Sequence, residues 1–447
     1  MPLLSVHRLS YMFYNLYIEE VNYIMSTKNY LYVGVDVSLK SLMTCIQDIS
    51  GENIFKPKNF PNDPDGVNKL LDTILCFANS LEITNILIGI EATSVYGTHL
   101  LYTIADSSIL NNFTVQLYCF EPKIIKSFRE SLGDLPKNDK MDSIVITSRL
   151  RLGNLPNEFY INFNQLGLQR LTRFRQHIVK SITREKTYLV SNLFLKFSKL
   201  SQQKVLSDNF GATAEMLLTD IYSVDEIATM SIGDIISAIA ETGKKHFADI
   251  TKTADLIKQS ASNSFKLQNE LNNSVNIVIK ACFENISALE KSLKSIETSI
   301  QKQVKQYFKN EYTILTSMDG IEPVIAAGII AEIGDINRFK NDDALAKFAG
   351  LVWSQYQSGE FDAEDTFIRK TGNVYLRNYF CQAATCLRNH NSDFATFYSR
   401  KFKEVSKHQH KRAIVLTARK AVRVIFALLH DNRLYTLPKK GVLPIEN

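Results

Sequence analysis

Three strand-like runs in close succession, followed by a fourth that is apolar throughout, limit what the first third of this chain can become. Residues 30–38 (YLYVGVDVS), 42–48 (LMTCIQD) and 53–60 (NIFKPKNF) are separated only by short polar breaks and read as three consecutive strands. Residues 64–81 switch to helical spacing, with Val67, Leu70, Leu71, Ile74, Leu75 and Ala78 recurring on one side and Pro64 at the helix entry. The run 86–90 (ILIGI) is a fully apolar strand that ends at Glu91. A helix from about Thr98 to Ala105 leads to a further strand at 114–120 (TVQLYCF).

A hairpin-linked triplet followed by alternating helix and strand is the RNase H-like (RuvC-like) α/β arrangement, a mixed sheet covered by helices. We place this domain at 29–160. From about residue 164 the pattern turns helical, and 161–312 is expected to be a helical and coiled-coil linker or oligomerisation region. Its clearest periodicity lies in 271–308, where Ile279, Cys282, Ile286, Leu289, Leu293, Ile296 and Ile300 alternate three and four apart. Such a seam suits either a long helix packed within its own domain or an intermolecular coiled coil. A mainly α C-terminal domain follows at 313–435, with basic helices near 373–389 and 410–430, and 436–447 is a tail.

Four carboxylates stand at positions that this fold would bring together. Asp36 ends the first strand, Glu91 ends the fourth, and Asp139 and Asp142 lie three apart at a helix start, on one side of it. Singly, each has a duller explanation as a solvated strand end or a helix-start acid. Together, in this topological order, they form a cluster of hard oxygen ligands suited to Mg²⁺ or Mn²⁺. Two such ions can activate an attacking oxygen and stabilise a leaving one at a phosphodiester.

Composition adds less. The net charge is +6 over 447 residues, only mildly favourable to a polyanion, so its distribution matters more. Six Lys/Arg fall between Arg170 and Lys186 against the lone Glu185, Arg170, Arg173 and Arg175 among them. Residues 399–423 hold nine Lys/Arg against Glu404 alone, including Lys411, Arg412, Arg419 and Lys420, with Tyr398 and Phe402 interleaved. This is the strongest electrostatic footprint for DNA or RNA phosphates in the chain. No motif reads bases. The six cysteines form no CxxC pair, which fits a reducing cytoplasm without structural zinc or disulfides. No run of 18 uncharged apolar residues occurs, so no membrane partner is expected. Residues 1–28 read as a non-native or disordered extension. Glu19-Glu20-Val21 can be encoded by a bacterial ribosome-binding sequence suitably placed before Met25, where translation is expected to start.

The stretches GVDVS (34–38), GIEATSVYG (89–97) and KNDKMDSIVI (137–146) resemble the insertion-sequence one-ten family of transposases, which is related to the Piv invertases. The family's DEDD set falls on Asp36, Glu91, Asp139 and Asp142, with Ser143 where the family usually has Ala. LTSMDGIEPVIAAGIIAEIGDINRF (315–339) is similar to its helix-hairpin-helix-like opening, with Glu322 in place of a second Gly. FAGLVWSQYQSG (348–359) and IRKTGNVYLR (368–377) resemble its serine motif and basic glycine turn, with Trp353-Ser354 replacing a Pro-polar pair. The resemblance covers about 31–155 and 313–431.

It implies a DNA transposase or site-specific recombinase that cuts and rejoins strands through two carboxylate-bound ions and a covalent serine–DNA intermediate at Ser358. The family's transposases are guided by a structured element-encoded RNA pairing with donor and target DNA. The enzyme would work as a dimer or tetramer in the bacterial cytoplasm, on the nucleoid when acting. Gly359, Arg369, Lys370, Asn373 and Arg377 would bind phosphate around the serine and at the following helix start. The residues alone also admit a junction-resolving metal nuclease without a covalent step, or a non-catalytic nucleic-acid-binding protein.

Overall fold

The computed structural model describes residues 30–436, apart from 93–94, 134, 157, 161, 204, 207, 220–221, 242–248, 354–356, 359–360, 363–367 and 369–370, and residues 357, 358, 361 and 362 by backbone only. The extension 1–28, nearly all of the C-terminal tail, and Ser354, Gly359, Arg369 and Lys370 therefore lie outside the described residues. The chain divides into two compact units, one up to Asn162 and the other from Phe163.

In the first unit, β1 (Tyr30–Val37), β2 (Ser41–Gln47), β3 (Phe55–Pro61), β4 (Asn85–Glu91) and β5 (Thr114–Phe120) form one sheet in the order β3-β2-β1-β4-β5. β1–β2 and β2–β3 pair antiparallel, while β1–β4 and β4–β5 pair parallel, as the hairpin triplet and the later helical crossovers require. The crossovers are α1 (Pro64–Ser80) and α2 (Thr98–Ala105). The edge strand β3 (FKPKNFP) is kept from pairing further by its exposed lysines and its prolines.

Strand periodicity decides which helix each face receives. Leu31, Val33 and Val35 of β1 pack with Ile86, Ile88 and Ile90 of β4 against Leu70, Leu71 and Ile74 of α1 and Leu100 of α2. The alternate positions face the other way. Tyr32 and Leu87 there meet Val145, Ile146 and Leu150 of a helix spanning Asp139–Arg151. In chain order α3 is Pro122–Ser131 and α4 is Asp139–Arg151. Gly34 and Gly89 are register partners on this second face. A Cβ on Gly34 would lie 2.2 Å from Thr147 Oγ1, and one on Gly89 2.9 Å from Leu150. Two adjacent glycines thus form the floor on which α4 rests, and any side chain there would lift the helix.

Among its described residues, the second unit has helices and one small hairpin. α5 (Phe163–Lys196) is followed by the short helices α6 (Ser198–Gln202), α7 (Ala212–Leu218), α8 (Val224–Thr229), α9 (Ile232–Glu241) and α10 (Ile250–Ser262), then by α11 (Asn269–Tyr307). Arg175–Glu297 and Lys186–Glu290 ion pairs and a Gln303–Asn164 hydrogen bond show α5 and α11 running antiparallel. The ends of the 279–300 apolar seam pack within the chain, while Leu289, Leu293 and Ile296 between them are half-buried. Ile279, Cys282 and Ile286 join Leu189, Leu193 and Phe197 in a core completed by α7–α10. Ile300 and Val304 join Leu168 in the core of the C-terminal helices instead. Those are α12 (Lys309–Thr316), α13 (Pro323–Ile333), α14 (Asp342–Ala349), α15 (Val374–His390), α16 (Ser392–Lys403) and α17 (Gln409–His430). The hairpin, β6 (Gln357–Ser358) with β7 (Phe361–Asp362), lies between α14 and α15 in the chain.

Candidate catalytic carboxylates and the serine hairpin

The alternation that puts Tyr32 and Gly34 under α4 puts Asp36 on the same face of β1, and Leu87 and Gly89 do the same for Glu91 of β4. Val35 pairs with Ile90, so the next residues, Asp36 and Glu91, are level at the carboxyl ends of two parallel strands. α4 starts beside them. Asn138 caps it by accepting from the Met141 amide at 2.9 Å, and Asp139 and Asp142 occupy its first turn. Ser143 is buried but satisfied, its hydroxyl donating to the Lys140 carbonyl at 2.8 Å. It leaves the acids untouched.

The charges of Asp139 and Glu91 act on Asp36. Burial pushes the Asp36 carboxyl up to about 6, and the negative charges of Asp139 and Glu91 push it the same way. Burial also raises Glu91 above the ordinary carboxylate range. Arg129 of α3 opposes both shifts and bonds directly to Asp142, and Lys137 also lowers Glu91. Among the described residues no three His, Cys, Asp or Glu side chains stand close enough to enclose an ion. Arg129 is the reason on the side of Asp142, whose carboxylate it holds. The donor chemistry nevertheless fits a hard divalent cation: carboxylate oxygens carried on three elements, with Asp36, Glu91 and Asp142 partly desolvated and Arg129 and Lys137 the cations that act on them.

In the second unit, Ser358 is the last paired residue before the turn of the β6–β7 hairpin, opposite Phe361. A Trp353–Ile368 bridge continues the pairing toward the base. The base is closed by two glycines in left-handed conformation, Gly350 (φ 69°) and Gly372 (φ 101°). A Cβ on Gly350 would meet the Thr371 carbonyl at 2.1 Å, and one on Gly372 the Phe348 carbonyl at 2.4 Å. The Asn373 amide donates to that same Phe348 carbonyl at 2.7 Å. The glycine turn expected to bind phosphate therefore clamps the two ends of the serine segment.

Several residues read from sequence as phosphate contacts are engaged internally. Glu332 of α13 is fully buried and receives Arg173 Nε and Nη2, each at 2.8 Å, Gln169 at 3.1 Å and Asn373 Nδ2 at 2.7 Å. Arg173 also lies 4.6 Å from the Tyr375 ring centre. Asn373 Oδ1 accepts the Tyr375 and Leu376 amides, so the helix-start amides already have a cap. Arg377 donates to the Ala349 carbonyl at 3.2 Å. Arg175 pairs with Glu297, Arg412 with Glu404, Arg419 with Asp342 and Asp343, and Lys420 with Asp393. Arg170 and Lys411 are exposed and make no ion pair among the described residues, as do Arg400, Lys403 and Lys407. The hairpin-helix turn before α13 is also structural: Gly320 (φ 103°) packs against the Cys386 carbonyl of α15, with only 2.9 Å for a Cβ.

A stability prediction follows from Glu332. Arg173→Ala leaves a buried carboxylate without its bidentate partner and is expected to cost about 3 kcal/mol, the usual penalty for breaking such a pair. Arg170→Ala should leave the urea midpoint unchanged. Equal midpoints for the two variants would show that Arg173 is not structural.

Comparison with known proteins extends the picture to both units. A DEDD transposase model of the IS110 group, described as "Transposase", matches residues 33–197, and one described as "Transposase IS116/IS110/IS902 family" matches residues 312–399. The chain is 24% identical over 234 residues to the insertion element IS900 uncharacterized 42 kDa protein of Mycobacterium paratuberculosis, covering 52% of this chain and 56% of that one. It is 29% identical over 157 residues to the insertion element IS116 uncharacterized 44.8 kDa protein of Streptomyces clavuligerus, covering 33% and 36%. It is 32% identical over 120 residues to the transposase for insertion sequence element IS1111A of Coxiella burnetii, covering 27% and 33%. The chain thus spans from a third to somewhat over half of the length of these relatives.

Proposed function

Since the chain belongs to the IS116/IS110/IS902 family of transposases, we propose that it is a divalent-metal-dependent DNA transposase or recombinase that cuts and rejoins strands, with an RNase H-like first unit. The observation that supports this reading is that Asp36 and Glu91 are level on adjacent parallel strands, with the charge of Asp139 from the first turn of α4 acting on Asp36. In this reading Asp36, Glu91, Asp139 and Asp142 hold Mg²⁺ or Mn²⁺, taken to be two ions. When bound, such ions make a phosphodiester more electrophilic and stabilise the charge on attacking and leaving oxygens. The floor of Gly34 and Gly89 sets how closely α4 approaches the strand ends, and the carboxylates would have to draw together further around an ion.

Ser358 supplies the covalent step. Its Oγ attacks a DNA phosphorus and a serine–phosphate ester forms as the phosphorus bond to a deoxyribose oxygen breaks; the serine proton passes to a base, and the leaving oxygen takes up a proton to become a hydroxyl. Attack by another deoxyribose hydroxyl reverses the step and reseals the strand without ATP, because one phosphodiester replaces another. Nucleic acid is gathered by the exposed bases Arg170, Arg400, Lys403, Lys407 and Lys411 rather than by those already paired. The lack of a base-reading motif supports an element-encoded structured RNA as the source of target choice. A dimer or tetramer is proposed from the need to hold two duplexes. No helix among the described residues is long and apolar enough to cross a membrane.

The test is strand exchange on a plasmid carrying the element ends, with the flanking element RNA supplied. Cleaved and rejoined products are expected with Mg²⁺ or Mn²⁺ and none after chelation by EDTA. Binding without cleavage under every metal condition would leave a nucleic-acid-binding protein in place of an enzyme.

A further inference from the structure

Arg129 has no part in the four-acid set, yet it reaches one member of it and acts on two others. It sits on α3, which begins directly after β5 ends, and its side chain reaches Asp142 in the first turn of α4. Its guanidinium bonds to Asp142 Oδ1, and both side chains are largely buried, 17% and 16% exposed. Its Nε is buried and has no hydrogen-bond partner. An arginine in its final place normally satisfies its donors, so this one is held by charge more than by fitted geometry.

We propose that Arg129 is a built-in counter-cation of the acid set, which holds Asp142 while no divalent ion is bound and competes with the ion for that carboxylate. This inference rests on the metal-site reading above. Four carboxylates meeting on a partly desolvated surface repel one another, and unrelieved repulsion would splay the start of α4 from the strand ends. A single guanidinium removes part of that repulsion. The same contact opposes the ion, because Asp142 cannot give its full charge to Arg129 and to a metal at once. Arg129 is a positioning residue, and it acts through Asp142.

The two effects have opposite signs, which separates this role from a merely structural one. Arg129→Met keeps the length of the side chain and removes the charge. In EDTA its melting temperature should fall below wild type, because the acids lose their counter-charge. In a Mn²⁺ titration followed by calorimetry it should bind the ion more tightly, on the order of tenfold, and its melting temperature should rise more on adding Mn²⁺. Arg129→Lys should restore wild-type behaviour in both measurements. If Arg129→Met binds Mn²⁺ as wild type does or more weakly, with its far-ultraviolet circular dichroism unchanged, the competition is refuted while the metal site stands. If Arg129→Met fails to fold, Arg129→Gln replaces it in the same titration, with the same two outcomes deciding. If wild type itself binds no Mn²⁺, the metal-site reading fails and this inference falls with it.

Discussion

Asp36→Asn is expected to lower the rate of strand cleavage by at least three orders of magnitude, on the order of what single members of catalytic constellations contribute, while leaving folding and nucleic-acid binding close to wild type. The substitution preserves shape and removes one charge from the proposed hard-oxygen ligand set. Burial first, and the Asp139 and Glu91 charges after it, push the Asp36 carboxyl up to about 6. Removing its charge relieves repulsion, so the metal-free protein should be as stable as wild type or more so. That sign matters. A structural Asp36 would lose stability on amidation, whereas a ligand held against repulsion gains it and loses activity. The measurements are a melting curve in EDTA, a filter-binding titration with element DNA, and cleavage in Mg²⁺. Asp142→Asn should abolish cleavage as well, but its metal-free stability should fall, because it forfeits the Arg129 ion pair. Near-wild-type cleavage by either variant removes the carboxylates from the mechanism.

The parts legible in the sequence were those written in short-range periodicity. The run 30–38 became β1, 86–90 became the centre of β4, the helix expected at 64–81 is α1, and those near 373–389 and 410–430 are α15 and α17. Asp36 and Glu91 could be read as neighbours because strand ends and a parallel register follow from local pattern plus topology. Contacts across long separations could not. Arg173 and Arg175 look like parts of a basic run, and nothing nearby reveals that Glu332 and Glu297, 159 and 122 residues on, neutralise them. The 279–300 seam showed that a partner helix exists without showing that α5 is that partner. Glu332 itself was missed, since a single acid inside PVIAAGIIAEI gives no signal beyond its place in a helix that is buried almost all round. That signal was usable: an acid in a fully apolar helix has to find a cation. Arg129 carried none, being one charge on a short, largely exposed helix.

Ser358→Ala is expected to bind DNA and RNA as wild type does and to form no covalent protein–DNA adduct, with cleavage and joining lost together. The expectation rests on where the chain has invested its rigidity. The segment between α14 and α15 carries the serine hairpin, and Gly350, Gly372 and the Asn373 amide fasten its two ends to each other. Asn373 is in turn held by Glu332 and thus by Arg173, so three helices fix the base of a segment whose far end carries Ser358. A nucleophile must be held within a few tenths of an ångström of its line of attack, and a hairpin on a fastened base provides that where a plain loop would not. Arg173→Ala should then show a smaller loss of the same kind, with adduct formation slowed about tenfold at temperatures where the variant remains folded. Ser354→Ala is the control, since that hydroxyl lies one turn away in sequence. Trapping wild-type enzyme on a nicked substrate and digesting it should give one phosphonucleotide-bearing peptide modified at residue 358. Modification at Ser354 would move the nucleophile four residues along the sequence. Cleavage undiminished in both alanine variants, with no adduct in wild type, would mean that water is the attacking group and that the carboxylates alone make a hydrolytic metal nuclease.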